Sequence, residues 1–109
     1  FGSYGLTLNK NLQQTMPFKT KIDACYPNPF NPTVKIDYTI ENTSYVSINV
    51  YNILGQKVVQ LYDGYVDKGE NSIIWNGINS NGIKVGSGNY FITIENAYKL
   101  LTKKVTLMK

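Results

Sequence analysis

Asp63, Asp67 and Glu70 lie close together in the chain. Carboxylates so placed can divide acid and base roles between them, or hold a divalent cation. Their spacing fits no EF-hand, which needs oxygen ligands at alternate positions and a bidentate Glu at the twelfth. A calcium site at one end of a domain is the sharp reading of the three, and a solvated loop the plain one. Histidine is absent, so neither a Ser-His-Asp nor a Cys-His arrangement can be assembled, and the commonest zinc ligand is missing. Cys25 is the only cysteine. It can form no internal disulfide and no thiolate cluster, and beside Tyr26-Pro27 it reads as a small hydrophobe rather than a reactive thiol. Gly86-Ser87-Gly88 contains a G-x-G, but a strand pattern follows and not a helix, so no helix N-terminus waits there for a phosphate. The residues therefore predict no catalytic group, no metal and no cofactor.

Charge narrows the partners. All eleven cations are Lys against seven carboxylates, a net charge of +4. The lysines are scattered from Lys10 to Lys109, and Arg, the bidentate reader of bases, is missing, which points away from nucleic acid. No apolar run approaches the ~18 residues that span a bilayer, so no membrane insertion is expected. The first residues lack the basic and apolar runs of a signal peptide. The chain opens on Phe1 without an initiator Met, as a processed or excised piece of something longer would.

The elements that must carry these residues are strands. At 109 residues and 42% apolar composition the chain can bury one core. Val34 to Ile40 alternates with period two, which puts Val34, Ile36, Tyr38 and Ile40 on one face. Tyr45 to Tyr51 repeats the pattern with Val46, Ile48 and Val50 inward, and the two runs read as neighbouring strands. Asn52 to Gln56 turns the chain, with Gly55 free to take positive φ. Lys57 to Tyr62 follows as a strand. Asp63-Gly64 and Lys68-Gly69 punctuate a longer connection before Asn71 to Asn76, where Trp75 is the expected centre of the core. Asn89 to Glu95 and Leu100 to Met108 form a last antiparallel pair about the turn Asn96 to Lys99, with Leu101, Val105 and Leu107 on one face. The sum is an all-β, immunoglobulin-like antiparallel β-sandwich of about six or seven strands over residues 25–109. Residues 1–24 show only weak alternation and read as a linker, or as an extra strand on the sandwich edge.

One segment stands apart. Tyr26-Pro27-Asn28-Pro29-Phe30-Asn31-Pro32-Thr33 carries three prolines, each without a donor and with φ fixed, so it must run extended along an edge. Phe30 is then its inward anchor. Followed by Ile36-Asp37-Tyr38, Val50-Tyr51-Asn52-Ile53-Leu54-Gly55-Gln56-Lys57-Val58, Trp75-Asn76-Gly77 and Gly86-Ser87-Gly88-Asn89-Tyr90-Phe91, this segment resembles the type A C-terminal sorting domain of the type IX secretion system. Lys103 to Lys109 resembles that family's basic and apolar ending. The related immunoglobulin-like domain of flagellar hook-capping proteins shares the pattern. Cys25 and Asn89 are small departures, and neither touches the end motif.

The resemblance implies a non-enzymatic address on a secreted protein of a Gram-negative bacterium, bound for the cell surface or beyond by way of the periplasm. It implies three partners: an outer-membrane translocon, a sortase-like protease cutting within residues 1–24, and a cargo domain upstream in the same chain. The recognition residues expected from it are Gly86, Gly88 and Tyr90 as shapers of the last hairpin, and Lys104, Val105, Leu107 and Lys109 as contacts. Core packing is the plainer role for Tyr90, Val105 and Leu107, and solvated charge for Lys104 and Lys109. Two other functions compete: a carbohydrate-binding or adhesion module resting on Trp75 and the nine tyrosines, and a passive spacer.

Overall fold

Alternation of apolar and polar side chains gives each strand one dry face, and two such faces are buried most completely by stacking. The computed structural model, which describes residues 19–109, does this with seven strands. They are β1 (Lys21–Tyr26), β2 (Val34–Ile40), β3 (Ser44–Tyr51), β4 (Lys57–Val66), β5 (Gly69–Trp75), β6 (Gly88–Glu95) and β7 (Leu100–Leu107). One sheet has the order β1-β2-β5 and the other β4-β3-β6-β7, with antiparallel pairing throughout. This is the expected sandwich. Val34, Ile36, Tyr38 and Ile40 meet Val46, Ile48, Val50, Ile92, Ile94, Val105 and Leu107 in one core.

The structure departs from the sequence reading in four places. β2 and β3 are not neighbours, because the short connection 41–43 carries the chain from one sheet to the other. Two alternating runs in succession fix which side chains point inward, and leave open whether the runs pair or stack. β4 continues through Asp63 and Gly64, which lie opposite Ser47 and Val46. Both residue types are poor strand formers, and tertiary pairing overrides that preference. Asp63, Asp67 and Glu70 do not converge: Asp63 belongs to β4 and accepts a bond from Tyr45 Oη, while Glu70 lies opposite Thr39 in the other sheet. Finally, β1 runs from Lys21 to Tyr26 across the expected boundary at Cys25 and pairs with β2 at the edge of its sheet. Residues 1–18 of the expected linker lie outside the described residues.

Successive strands run in alternate directions, which sorts the connections to two ends. Connections 27–33, 52–56 and 76–87 share one end with the last residues, and 41–43, 67–68 and 96–99 share the other. The first we call the motif end, because the proline segment, Asn52 to Gln56, Trp75 to Gly77 and Gly86 to Gly88 all lie there.

Candidate functional site

Proline cannot donate, but the residues between the prolines can. Phe30 N donates to Thr106 O at 2.8 Å, and Met108 N donates to Phe30 O at 3.0 Å. Asn28 adds a side-chain copy of the same pairing: its Nδ2 donates to Lys104 O at 3.3 Å, and its Oδ1 accepts from Thr106 N at 3.0 Å. The segment thus acts as a staple along the outer edge of β7. Outward-facing backbone groups recur every second residue in an antiparallel strand. Those of Thr106 and the carbonyl of Lys104 are filled, while those of Leu100 and Thr102 have no strand partner among the described residues. β7 therefore has a closed half and an open half.

Beneath the staple sits an aromatic stack. Phe30 and Trp75, each 1% exposed, lie 5.5 Å apart between ring centroids. Tyr90 also meets Trp75, edge-on, at 5.2 Å. A buried Trp or Tyr needs a partner for its polar tip, and both find one in a loop: Trp75 Nε1 donates to Ile78 O at 2.9 Å, and Tyr90 Oη donates to Gly86 O at 2.7 Å. Burial also pushes the Tyr90 phenol above its usual pKa, so it remains a neutral donor. Gly77 closes the junction at φ 72°, where an added Cβ would stand 3.0 Å from Pro32 O. Thr33 Oγ1 reaches Asn76 Oδ1 at 3.3 Å.

The expected recognition residues divide on this frame. Gly86 and Gly88 do border the hairpin: an added Cβ would meet open space at both, but Gly88 opens β6 at φ 152°, a conformation L side chains rarely adopt. Tyr90, Val105 and Leu107 are buried, at 8%, 0% and 1% exposure. The side chains of Val105 and Leu107 pack in the core, and Tyr90 packs there while also lining a surface groove with Gly86. Lys104 and Lys109 are exposed, and Lys109 N donates to Ser87 Oγ at 3.1 Å. Trp75 is too deep to be a sugar platform. Cys25 is half-buried against the core, and loss of solvent pushes its thiol up to about 11, as suits a packing residue. Among the described residues no cluster of three metal-binding side chains forms.

Two residues escaped the sequence reading. Asn28 holds β7 from a site 76 and 78 residues away, and its one local signal is a polar amide between two prolines. Gly77 is required by a contact with Pro32 that no local pattern announces.

A seven-stranded immunoglobulin-like sandwich, stapled to its last strand by a proline-rich segment, defines the class of domain. The chain belongs to the family of secretion system C-terminal sorting domains, which it matches over residues 24–108. It is a sorting signal for type IX secretion, and such a domain marks its protein for the cell surface or the extracellular space. Domains of the family are generally non-catalytic, and membership implies interaction with the secretion system and a cargo upstream in the same chain. Latent dimeric PorU of Porphyromonas gingivalis has a similar fold, at TM-score 0.65 and 17% identity, over 84% of this chain and 9% of that one. PorZ of the same bacterium, a surface component of its type-IX secretion system, gives 0.56 at 20% identity over 79% of this chain and 11% of that one. FlgD of Xanthomonas campestris, a hook-capping protein of flagellar assembly, gives 0.56 at 20% identity, over 90% of this chain and 72% of that one. This chain thus spans about a tenth of the two Porphyromonas proteins. No curated protein matches the sequence.

Proposed function

We propose that the domain is a non-catalytic address whose last strand is read by the outer-membrane translocon through strand addition. The observation that carries this reading is the divided edge of β7: Asn28 and Phe30 engage Lys104 O, Thr106 N and O, and Met108 N, and the outward groups of Leu100 and Thr102 have no strand partner among the described residues. An open edge with regular pairing behind it is a template for another chain. The eight residues of β7 pair with β6 without a register shift, so the edge is straight enough to accept one. Lys104 stands on the same strand as an exposed cation and Lys109 just beyond it, and both supply charge to an acidic receptor.

The sortase-like protease acts upstream of the domain. Lys21 to Ala24 are held in β1, and Thr20 is clasped to Glu41 through a bond from Glu41 N to Thr20 Oγ1 at 3.1 Å. We therefore place the cut on the N-terminal side of Lys19.

Deleting Lys103 to Lys109 would remove Val105 and Leu107 from the core, so it confuses unfolding with loss of the signal. Thr102→Pro is cleaner. Its N–H makes no bond inside the sheet, and edge strands tolerate proline at such a place. With the 109-residue chain fused after a periplasmic reporter in a secretion-competent host, the wild type should reach the surface. The Thr102→Pro fusion should stay in the periplasm while melting as the wild type does. Surface display of the variant at the wild-type level would refute strand addition.

A further inference from the structure

Two turns at the motif end are built to one pattern. In Asn52-Ile53-Leu54-Gly55-Gln56, Asn52 Oδ1 accepts from Leu54 N at 2.9 Å and Gln56 N at 3.0 Å, Asn52 N donates to Gln56 O at 3.0 Å, and Gly55 stands at φ 79°. In Asn79-Ser80-Asn81-Gly82-Ile83, Asn79 Oδ1 accepts from Asn81 N at 2.9 Å and Ile83 N at 3.0 Å, Asn79 N donates to Ile83 O at 2.9 Å, and Gly82 stands at φ 78°. The second turn carries Ser-Asn at its tip. The first carries Ile53 and Leu54, exposed at 71% and 77%. Since Ser-Asn closes the same turn, the aliphatic pair is not there for the turn geometry, nor does it serve the core. Holding two large apolar side chains in water on a braced tip makes sense when a partner covers them.

The two turns face each other across a groove of about 610 Å³. Its lining includes Asn52, Gln56, Asn79 and Ser80 with two cations, Lys57 and Lys84, and no carboxylate. We infer that Ile53 and Leu54 form a knob that docks into an apolar pocket of a protein of the secretion machinery, with an acidic side chain of that protein entering the groove between Lys57 and Lys84. A flat lipid surface would cover the knob, but it would leave a groove lined by amides unfilled. A protein can match both the projection and the concavity. This inference rests on the reading that the domain is recognised as a folded surface, and it adds a contact on the opposite side of the four-stranded sheet from β7.

The twin turn supplies the test. Ile53→Ser with Leu54→Asn writes the tip of the second turn into the first, so the brace is kept. In the reporter fusion, the double variant should retain the wild-type melting midpoint and lose surface export by about tenfold or more, the effect of withdrawing one or two aliphatic side chains from a pocket. Lys57→Glu with Lys84→Glu, which leaves the tip intact, should also lower export. Wild-type export by both variants would overturn the inference and leave the address itself standing, whereas failure of the wild-type fusion to be exported would overturn the address. Sedimentation of the wild-type chain, but not the tip variant, with equimolar phosphatidylglycerol and phosphatidylcholine vesicles would assign the knob to a membrane and overturn the protein partner.

Discussion

The two ends of the sandwich are built on different principles. At the far end the connections 41–43, 67–68 and 96–99 are short and held by polar bonds, some within a turn and some between neighbouring segments. Asn96 Oδ1 accepts from Tyr98 N and Lys99 N, Lys68 N donates to Thr43 Oγ1, and Thr20 clasps Glu41. Nothing large is buried by these turns, and Tyr98 is 94% exposed. At the motif end the connections 27–33 and 76–87 are longer and take part in the core, through Phe30 and through the loop carbonyls that receive Trp75 and Tyr90. One end only closes the sheets. The other is a packed structure in its own right, and it is there that the family's motifs collect.

The sharpest way to break that contrast is to truncate one aromatic at each end. Trp75→Ala should cost about 3–5 kcal/mol, because it empties the centre of the stack. Tyr98→Ser should change stability by less than about 0.5 kcal/mol. Urea unfolding of the two variants measures both, and comparable losses would mean that the ends are not built differently. Within the motif end, two glycines with similar φ sharpen the point. Gly82→Ala meets open space and should cost about 1 kcal/mol for the backbone conformation alone. Gly77→Ala drives a Cβ to 3.0 Å from Pro32 O and should cost about 2–3 kcal/mol.

A smaller effect tests the staple. Asn28→Ala removes two bonds to β7 near the surface and should cost about 1 kcal/mol. Amide hydrogen exchange at Thr106 should speed up, and exchange at Thr102, already outside the staple, should stay as it was. Smallest is the response of Cys25. Its thiol is neutral up to about pH 11 in the folded domain and ionises near 9 when exposed, so the folded form binds the extra proton between those values. Stability should therefore be undiminished below pH 9 and fall as pH rises from 9 to 11. Alkylation at pH 8 should be slow until urea is added.

Much of the architecture was legible because it follows from local alternation. Val34 to Ile40 predicted the bounds of β2 outright, and Trp75 and Phe30 were expected in the core and are there. The gaps have a common cause. β4 was cut short at Tyr62 because Asp63 and Gly64 are poor strand formers in isolation, and partners on β3 hold them in place. Val105 and Leu107 sit in the terminal motif, and period two turns their side chains into the core, the plainer of the two roles the sequence offers. Ile53 and Leu54 passed as turn residues, since a sequence shows that a turn exists and not how far its tip stands from the core.

By itself the sequence determined which side chains alternate inward, that no histidine chemistry is present, and that a proline-rich segment must lie on an edge. Each of these depends on residue type and on spacing over a few positions. Only the tertiary structure decided that β2 and β3 fall in different sheets, that Asn28 and Phe30 close one half of β7 and leave the other open, and that two like turns face each other with unlike tips. Those facts depend on register between residues distant in the chain, and on which faces are left over once the core is filled.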